Sequence, residues 1–250
     1  VFHIDNGNVL RNYSYYTISK NMEGIDVLGS PTISLKNKTE YDTYLNENKD
    51  FKINVIPNYT GENTVFPPRA GVVGIIASNY TAWKNFLKTD KDILILFEDD
   101  VKISKNIKHF LNKYIDELPE DWDIFSFYIP EDVKYFYNPT EMNLENKSFI
   151  CKSYTNHCIA AYMISRSGAE KAIRDIETNG ISAPADWYIL NVKHLKNEPD
   201  IFNVYCLKPN TYLPVKEIPE EYYSTSTHYG HTEEFTLEKL LKQGDENVTI

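Results

Sequence analysis

The strongest pattern in the order of hydrophobic and polar positions is a continuous apolar run at residues 93–97, which stops at three consecutive acids. The run has the length of a strand, and a strand without polar alternation is typical of one buried on both faces. The preceding segment, residues 71–87, predicts an amphipathic helix because its apolar side chains recur at helical spacing. Those side chains are Val73, Ile76, Tyr80, Trp83 and Leu87.

In the first half of the chain the predicted strands alternate with helices, which favours an α/β sheet with helices on both faces. Ser104 is predicted to cap a helix that ends before Pro119. Residues 129–147 carry proline, asparagine and several tyrosines without a period, and we interpret them as a long functional loop. Residues 209–227 are expected to be irregular. The other predicted strands are 1–4, 51–56, 122–128, 149–154, 158–164 and 202–207, and the other helices are 13–21, 167–178, 186–195 and 236–242.

The net charge of −10 narrows the classes of function. So acidic a surface repels phosphate backbones and anionic headgroups, which argues against a primary role in binding nucleic acid or membrane surfaces. No apolar run approaches the roughly 20 residues that span a bilayer, and the start has no signal-peptide pattern. We therefore expect no membrane span and a cytoplasmic location. The chain begins at Val1 rather than at a methionine, which is compatible with a lost upstream segment.

The three cysteines, Cys151, Cys158 and Cys206, do not follow a pattern that predicts chemistry. An odd number without C-x-x-C spacing is neither a disulfide framework nor a zinc site. We expect them to be small buried hydrophobic residues in a reducing compartment.

The acidic triplet Glu98-Asp99-Asp100 stands at the carboxyl end of the buried strand. Ligands of open α/β sheets bind in that crevice, and clustered carboxylates are best tolerated where a cation neutralises them. On an extended backbone Glu98 and Asp100 point to the same side and could share one Mg²⁺ or Mn²⁺ ion, which in turn binds a diphosphate. The alternative is a solvated acidic turn that caps the following helix.

Four segments, in this order and spacing, resemble glycosyltransferase family 25, which contains lipooligosaccharide and collagen galactosyltransferases. The resemblance covers roughly residues 70–227. Residues 93–101 resemble the family's hydrophobic strand followed by E-D-D. The others are a "G-x-x-G-C-x-x-S-H…W" helix at 71–83, a "Y-x-I-S-x-x-G-A-x-K" element at 161–171 and a "P-x-D" element at 184–187. Asn79 stands where the family has histidine, and residues 2–6 match the family's "V-I-N-L-D-R" opening only loosely.

The resemblance implies a GT-A fold, which is a Rossmann-like mixed α/β sheet flanked by helices. It predicts one domain over residues 1–250, with a nucleotide-sugar half at 1–128, an acceptor half at 129–230 and a C-terminal helix and tail at 231–250. It also implies a UDP-sugar donor and Mn²⁺ (or Mg²⁺). Glu98 and Asp100 take the place of the D-x-D carboxylates, with Asp100 the better candidate for a direct ligand.

Asp186 and His228 are the other candidates for chemistry. Asp186 is predicted to be the general base that deprotonates the acceptor hydroxyl in an inverting transfer; its alternative role is to favour the dipole of the helix it opens. His228 is predicted to be a third metal ligand, since imidazole suits Mn²⁺, and its alternative is an ordinary surface histidine. The residues predicted to contact the nucleotide, several of which could equally be turn residues, are Ile4, Asp5, Asn6, Arg11, Arg69, Ser78 and Asp99.

The sequence thus predicts a metal-dependent glycosyltransferase that transfers a sugar from a UDP-sugar to a hydroxyl of a glycan or glycoprotein. The aromatic loop at 129–147 is expected to border the acceptor. Two alternatives remain at this point: a metal-dependent nucleotidyl or phosphoryl transferase, and a non-catalytic glycan-binding module on a degenerate transferase fold. The chain has no G-x-x-x-x-G-K-[ST] phosphate loop, which counts against the first. An intact acidic triplet counts mildly against the second.

Overall fold

The computed structural model describes residues 25–29, 38–52, 70–98, 101–104, 106–154, 158–181, 183–191 and 200–217. The elements in these ranges alternate between strands and helices for much of the chain. The strands are β1 Ile25–Gly29, β2 Ile93–Phe97, β3 Val101–Ile103, β4 Ile124–Ser126, β5 Ile150–Lys152, β6 Ala161–Ser165, β7 Val204–Leu207 and β8 Val215–Glu217. The helices are α1 Lys38–Glu47, α2 Ala70–Leu87, α3 Ile107–Ile115, α4 Pro139–Met142, α5 Arg166–Asn179 and α6 Ala185–Ile189, with a 3₁₀ helix at Glu131–Phe136.

Within the described residues, six strands form one mixed sheet in the order β1-β2-β6-β4-β7-β5. β1 is parallel to β2 and β4 is parallel to β7, whereas β6 runs antiparallel to both β2 and β4. Four strands therefore end on the same side of the sheet, namely β1, β2, β4 and β7. The segments that lead into the two antiparallel strands, β5 and β6, lie on that side too. We call this the carboxyl edge and the opposite one the amino edge. The predicted α/β class, a mixed sheet flanked by helices, is confirmed.

The alternation of side chains along β2 separates two hydrophobic cores, one on each face of the sheet. Leu94 and Leu96 pack with residues of α2, α5 and α6, on what we call the α2 face. Ile95 and Phe97 pack on the opposite face, the α3 face, with residues of α3 and of β5 and β7. Because both faces are covered, β2 can be apolar throughout, and the run at 93–97 predicted this correctly.

The junction between β6 and α5 is fixed by three specific contacts. Ser165 caps the helix, since its hydroxyl accepts a hydrogen bond from the Gly168 backbone N–H at 3.0 Å. A Cβ atom on Gly168 would lie 2.7 Å from the carbonyl oxygen of Asp123, so this position requires glycine for close packing. The Lys171 ammonium lies 2.6 Å from the Asp123 carboxylate, whose side chain is 1% exposed. All of these residues lie at the amino edge.

Several predictions of local structure are wrong. β1 and α1 were not expected, and Phe51 and Lys52 lie outside any strand, although a strand was predicted from 51. Phe51 instead packs its ring against those of Tyr44 and Tyr80, at 5.5 and 4.9 Å between centroids. The predicted elements at 1–4, 13–21 and 236–242 lie outside the described residues, as do 53–56 and 192–199.

The segments flanking the acidic triplet also differ from expectation. β3 pairs antiparallel with β8 as a separate two-stranded sheet, so part of the region expected to be irregular is a strand. Ser104 is not the N-cap: α3 begins later, after Asn106, and the Ser104 hydroxyl accepts a hydrogen bond from the Asn106 N–H at 3.2 Å. The expected loop at 129–147 contains the 3₁₀ helix and α4. None of the described helices is long and apolar enough to cross a membrane.

Candidate functional site

Glu98 leaves β2 at the carboxyl edge and lies beside the segment that leads into β6. Its backbone N–H donates to the carbonyl oxygen of Ala160 at 2.8 Å, which extends the pairing of the two strands by one step. Side chains alternate along a strand, so Glu98 follows Leu94 and Leu96 toward the α2 face. Tyr162 lies on that same face. Burial raises the pKa of Tyr162 well above its ordinary value, and the negative charge of Glu98 raises it further.

Asp186 lies in the first turn of α6, the short helix that packs on the α2 face. One of its carboxylate oxygens accepts the backbone N–H of Trp187 at 3.0 Å, and the other accepts that of Cys158 at 3.4 Å. Cys158 has a left-handed backbone with φ of 64°, which few residues other than glycine adopt. The carboxylate is therefore held against the segment that precedes β6, in addition to lying near the N-terminus of its own helix.

Glu98 and Asp186 are consequently both attached to one short segment, residues 158–160. Glu98 is bonded to Ala160 through its backbone, and Asp186 is bonded to Cys158 through its side chain. Both residues lie on the α2 face of the sheet at the carboxyl edge.

A chain of buried hydrogen bonds lies on the same face, between α2 and β6. The Trp83 indole N–H donates to the Tyr162 hydroxyl at 3.1 Å, and that hydroxyl donates to the side-chain oxygen of Asn79 at 2.5 Å. The Asn79 amide in turn donates to the carbonyl oxygen of Ile75 at 2.9 Å. Asn79, noted above only as a departure from the family pattern, thus joins helix and strand. Its spacing of four residues from Trp83 puts both on one helix face, which is the signal that could have revealed the pair.

The structure describes some of the predicted site residues and not others. Ser78 is 3% exposed, and its hydroxyl donates to the Gly74 carbonyl oxygen of its own helix at 2.7 Å. Its contact with a nucleotide stays a prediction. The predicted residues that lie outside the described ranges are Ile4, Asp5, Asn6, Arg11, Arg69, Asp99, Asp100 and His228.

Glu98 is therefore the one predicted metal ligand that the structure describes. In the described part of the chain, no group of three His, Cys, Asp or Glu side chains could hold a metal ion. The carboxylate of Glu98 is a hard oxygen donor of the kind that Mg²⁺ and Mn²⁺ prefer, so the chemistry of this residue fits the predicted ion.

The segment 129–147 leaves β4 at the carboxyl edge and carries an exposed aromatic pair. Tyr135 is 75% exposed and Phe136 is 43% exposed, and their ring centroids lie 4.1 Å apart. Tyr137 differs from them: its hydroxyl donates to the side-chain oxygen of Asn143 at 2.5 Å, and its ring packs on Tyr154. Tyr137 therefore supports the segment, whereas Tyr135 and Phe136 present aromatic surface to solvent.

The mixed sheet places the protein in the α/β class, in which ligands bind at the carboxyl ends of strands. Comparison with known families narrows the class. Residues 43–189, more than half of the chain, match the sequence model of a family described as Glycosyltransferase family 25 (LPS biosynthesis protein). The chain belongs to glycosyltransferase family 25 and is a glycosyltransferase. The predicted resemblance is confirmed, although the match begins earlier than residue 70, within α1, and ends at residue 189 rather than near 227.

Two curated relatives carry the name procollagen galactosyltransferase 2. The human protein is 25% identical over 128 residues, which are 50% of this chain and 20% of that protein. The mouse protein is 23% identical over 195 residues, which are 76% of this chain and 31% of that protein. The aligned part of this chain thus spans less than a third of the length of either relative.

Proposed function

We propose that the protein transfers a sugar from a UDP-sugar to a hydroxyl group of a glycan or glycoprotein, with inversion and with the help of a divalent metal ion. The observation that carries this proposal is the joint anchoring of Glu98 and Asp186 to residues 158–160. This arrangement supports a site at the carboxyl edge in which Glu98 and Asp186 have different roles. Family membership supports glycosyl transfer over the nucleotidyl-transferase and glycan-binding alternatives.

The donor half of the site is proposed to hold Mn²⁺, or Mg²⁺, through carboxylate oxygens. Glu98 and Asp100 would be its ligands, with His228 as a third, and the bound ion would neutralise the diphosphate leaving group. The repulsion between neighbouring acids supports a cation here. Proposed contacts to the nucleotide are those predicted above, namely Ile4, Asp5, Asn6, Arg11, Arg69, Ser78 and Asp99.

The acceptor half is proposed to use Asp186 as the general base. The N–H groups of Trp187 and Cys158 occupy one lone pair on each carboxylate oxygen and fix its orientation. Each oxygen keeps a second acceptor position, where it can take the proton of an attacking hydroxyl. The names of the relatives make galactose the first donor sugar to test and procollagen the first protein acceptor. The family description refers to LPS biosynthesis, which makes a lipopolysaccharide glycan the first glycan acceptor to test.

Removal of the metal ion is expected to weaken binding of the donor. Titration calorimetry with UDP should give an affinity at least tenfold higher in Mn²⁺ than in excess chelator, because the ion offsets the repulsion between the diphosphate and the acids. The Glu98→Gln variant should lose most of this difference. Glu120→Gln is the matched control, since Glu120 is exposed and lies before β4, toward the amino edge. Equal UDP affinity with Mn²⁺ and with chelator would contradict metal dependence.

Shortening the exposed aromatic side chains is expected to weaken binding of the acceptor. Aromatic faces stack on sugar rings, so Tyr135→Ala combined with Phe136→Ala should raise the acceptor KM severalfold and leave the affinity for the UDP-sugar unchanged. Steady-state kinetics with each substrate varied in turn measures both. Tyr137→Phe, which removes one hydrogen bond and keeps the ring, is the control. Weakened donor binding with normal acceptor kinetics would place the segment over the nucleotide instead.

A further inference from the structure

Two of the three cysteines lie directly opposite each other on neighbouring strands. Cys151 of β5 and Cys206 of β7 are register partners in an antiparallel pair. Their side chains are fully buried on the α3 face, and their Sγ atoms are 3.9 Å apart. Opposed residues of antiparallel strands have Cα atoms about 4.5–5.5 Å apart, which is inside the range of about 4.4–6.8 Å that disulfides span.

We propose that Cys151 and Cys206 are a site of reversible disulfide formation that joins the edge strand β5 to β7. Bringing the two sulfur atoms to the bond length of about 2.0 Å requires rotation of the side chains and not a shift of register. The interactions lost are weak, since each thiol lies 3.7 Å from the carbonyl oxygen it faces. Pairing across 55 residues of sequence leaves no spacing motif, so the sequence pattern alone could not predict it.

The oxidant required is a small disulfide such as oxidised glutathione. The thiolate of one cysteine attacks the oxidant, releases one glutathione thiolate and forms a mixed disulfide. The second cysteine, as thiolate, then attacks the protein sulfur of that mixed disulfide and releases the second glutathione. Two protein thiols are thereby oxidised, and the oxidant disulfide is reduced to two glutathione thiolates, which take up the two protons that the protein thiols lost.

Access to the buried thiols depends on the position of β5 in the fold. β5 is a three-residue strand at the edge of the sheet, and short edge strands open locally more readily than central ones. Burial raises the pKa of the Cys206 thiol well above its ordinary value. The thiol therefore stays protonated until β5 separates locally from β7. Oxidation should therefore be slow, on the scale of minutes to hours, and reversible by dithiothreitol.

A disulfide at this position would also fix one end of the segment 129–147. Cys151 forms an isolated β-bridge with Asn143, and Asn143 accepts the Tyr137 hydroxyl. Tyr154, which packs on Tyr137, donates its own hydroxyl to the Leu207 carbonyl oxygen of β7 at 3.0 Å. The bond would thus join two strands that already hold this segment, and it would close a loop in the unfolded chain as well.

The test is incubation of the native protein with oxidised glutathione, followed by thiol titration in denaturant and peptide mapping without reductant. The wild-type protein, with three cysteines, should fall to one titratable thiol, with the Cys151 peptide linked to the Cys206 peptide. Its Tm should rise by roughly 5–10 °C and return after reduction. Cys158→Ser should fall from two thiols to none, whereas Cys206→Ser and Cys151→Ala should form no internal disulfide.

Three outcomes would overturn the proposal. One is retention of all three thiols after prolonged incubation, and another is a stable mixed disulfide with glutathione on either buried cysteine. The third is a disulfide that includes Cys158. The mapping of the wild-type protein decides among these results even if one of the variants fails to fold.

Discussion

Replacement of Asp186 by asparagine is expected to lower turnover by about 10²–10⁴-fold, the usual contribution of a general base. Asparagine has nearly the same shape as aspartate but cannot take up the proton of the attacking hydroxyl group. The carboxylate accepts two backbone N–H groups, one on each oxygen, and asparagine has a single oxygen. The longer of the two hydrogen bonds, from Cys158, should be lost, at a cost of about 1 kcal/mol in stability.

Comparison of turnover with UDP affinity and Tm distinguishes a loss of catalysis from a loss of folded protein. Turnover with a UDP-sugar and a hydroxyl acceptor should fall, while UDP affinity by calorimetry should stay near the wild-type value and the Tm should fall by only about 2–4 °C. Asp116→Asn is a suitable control, because Asp116 is an exposed acid at the C-cap of α3. Turnover close to wild type in the Asp186→Asn variant would assign the carboxylate a structural role instead, at the start of α6 and on the Cys158 N–H.

Replacement of Asp123 by alanine is expected to cause a large loss of stability. The carboxylate is buried, lies 2.6 Å from the Lys171 ammonium and accepts the backbone N–H of Asn203 at 2.9 Å. Alanine leaves both donors without this acceptor, and a loss of about 3 kcal/mol follows. For a chain of this size that corresponds to a fall in Tm of about 6–12 °C.

Chemical denaturation of a double-mutant cycle with Lys171→Met checks the assignment. A coupling free energy of about 0.5–3 kcal/mol between Asp123 and Lys171 is expected for a pair in direct contact. The exposed Glu120→Ala variant should unfold like the wild-type protein. Additive effects of the two substitutions would show that Asp123 acts through the Asn203 backbone rather than through the ion pair.

The parts of the fold that were predictable from sequence are those whose pattern is long or fully apolar. α2 and α5 each present a repeated apolar stripe, and β2 is buried on both faces, so local pattern and tertiary packing favour the same structure. β3 and β8 have three residues each and are stabilised by pairing across more than 100 residues of sequence. α1 is predominantly polar. No local window contains the contacts that form these elements.

Two residues of the candidate site, Glu98 and Asp186, could be proposed from the sequence, but the way in which the fold connects them could not. The acids at 98 and 186 could be proposed because one follows a buried strand and the other follows a proline at a helix start. Their common attachment to residues 158–160 depends on β6 running antiparallel, which composition and spacing do not encode. The Tyr162 contacts were missed for the same reason, since they join residues about 80 positions apart.

Because β6 runs antiparallel to β2 and β4, its two ends lie in different parts of the molecule. If β6 were parallel to its neighbours, the segment that follows it would lie at the carboxyl edge. Because β6 is antiparallel, the segment that precedes it lies there, and α5, which follows β6, begins at the amino edge. The Ser165, Gly168 and Lys171 contacts that stabilise the strand-helix junction are therefore remote from the two acids. Changes in residues 158–160 can alter the spacing between Asp186 and Glu98 while that junction, and with it the stability of the sheet, stays intact. The same strand thus has one end at which substitutions can change the candidate site and another end at which substitutions would destabilise the sheet.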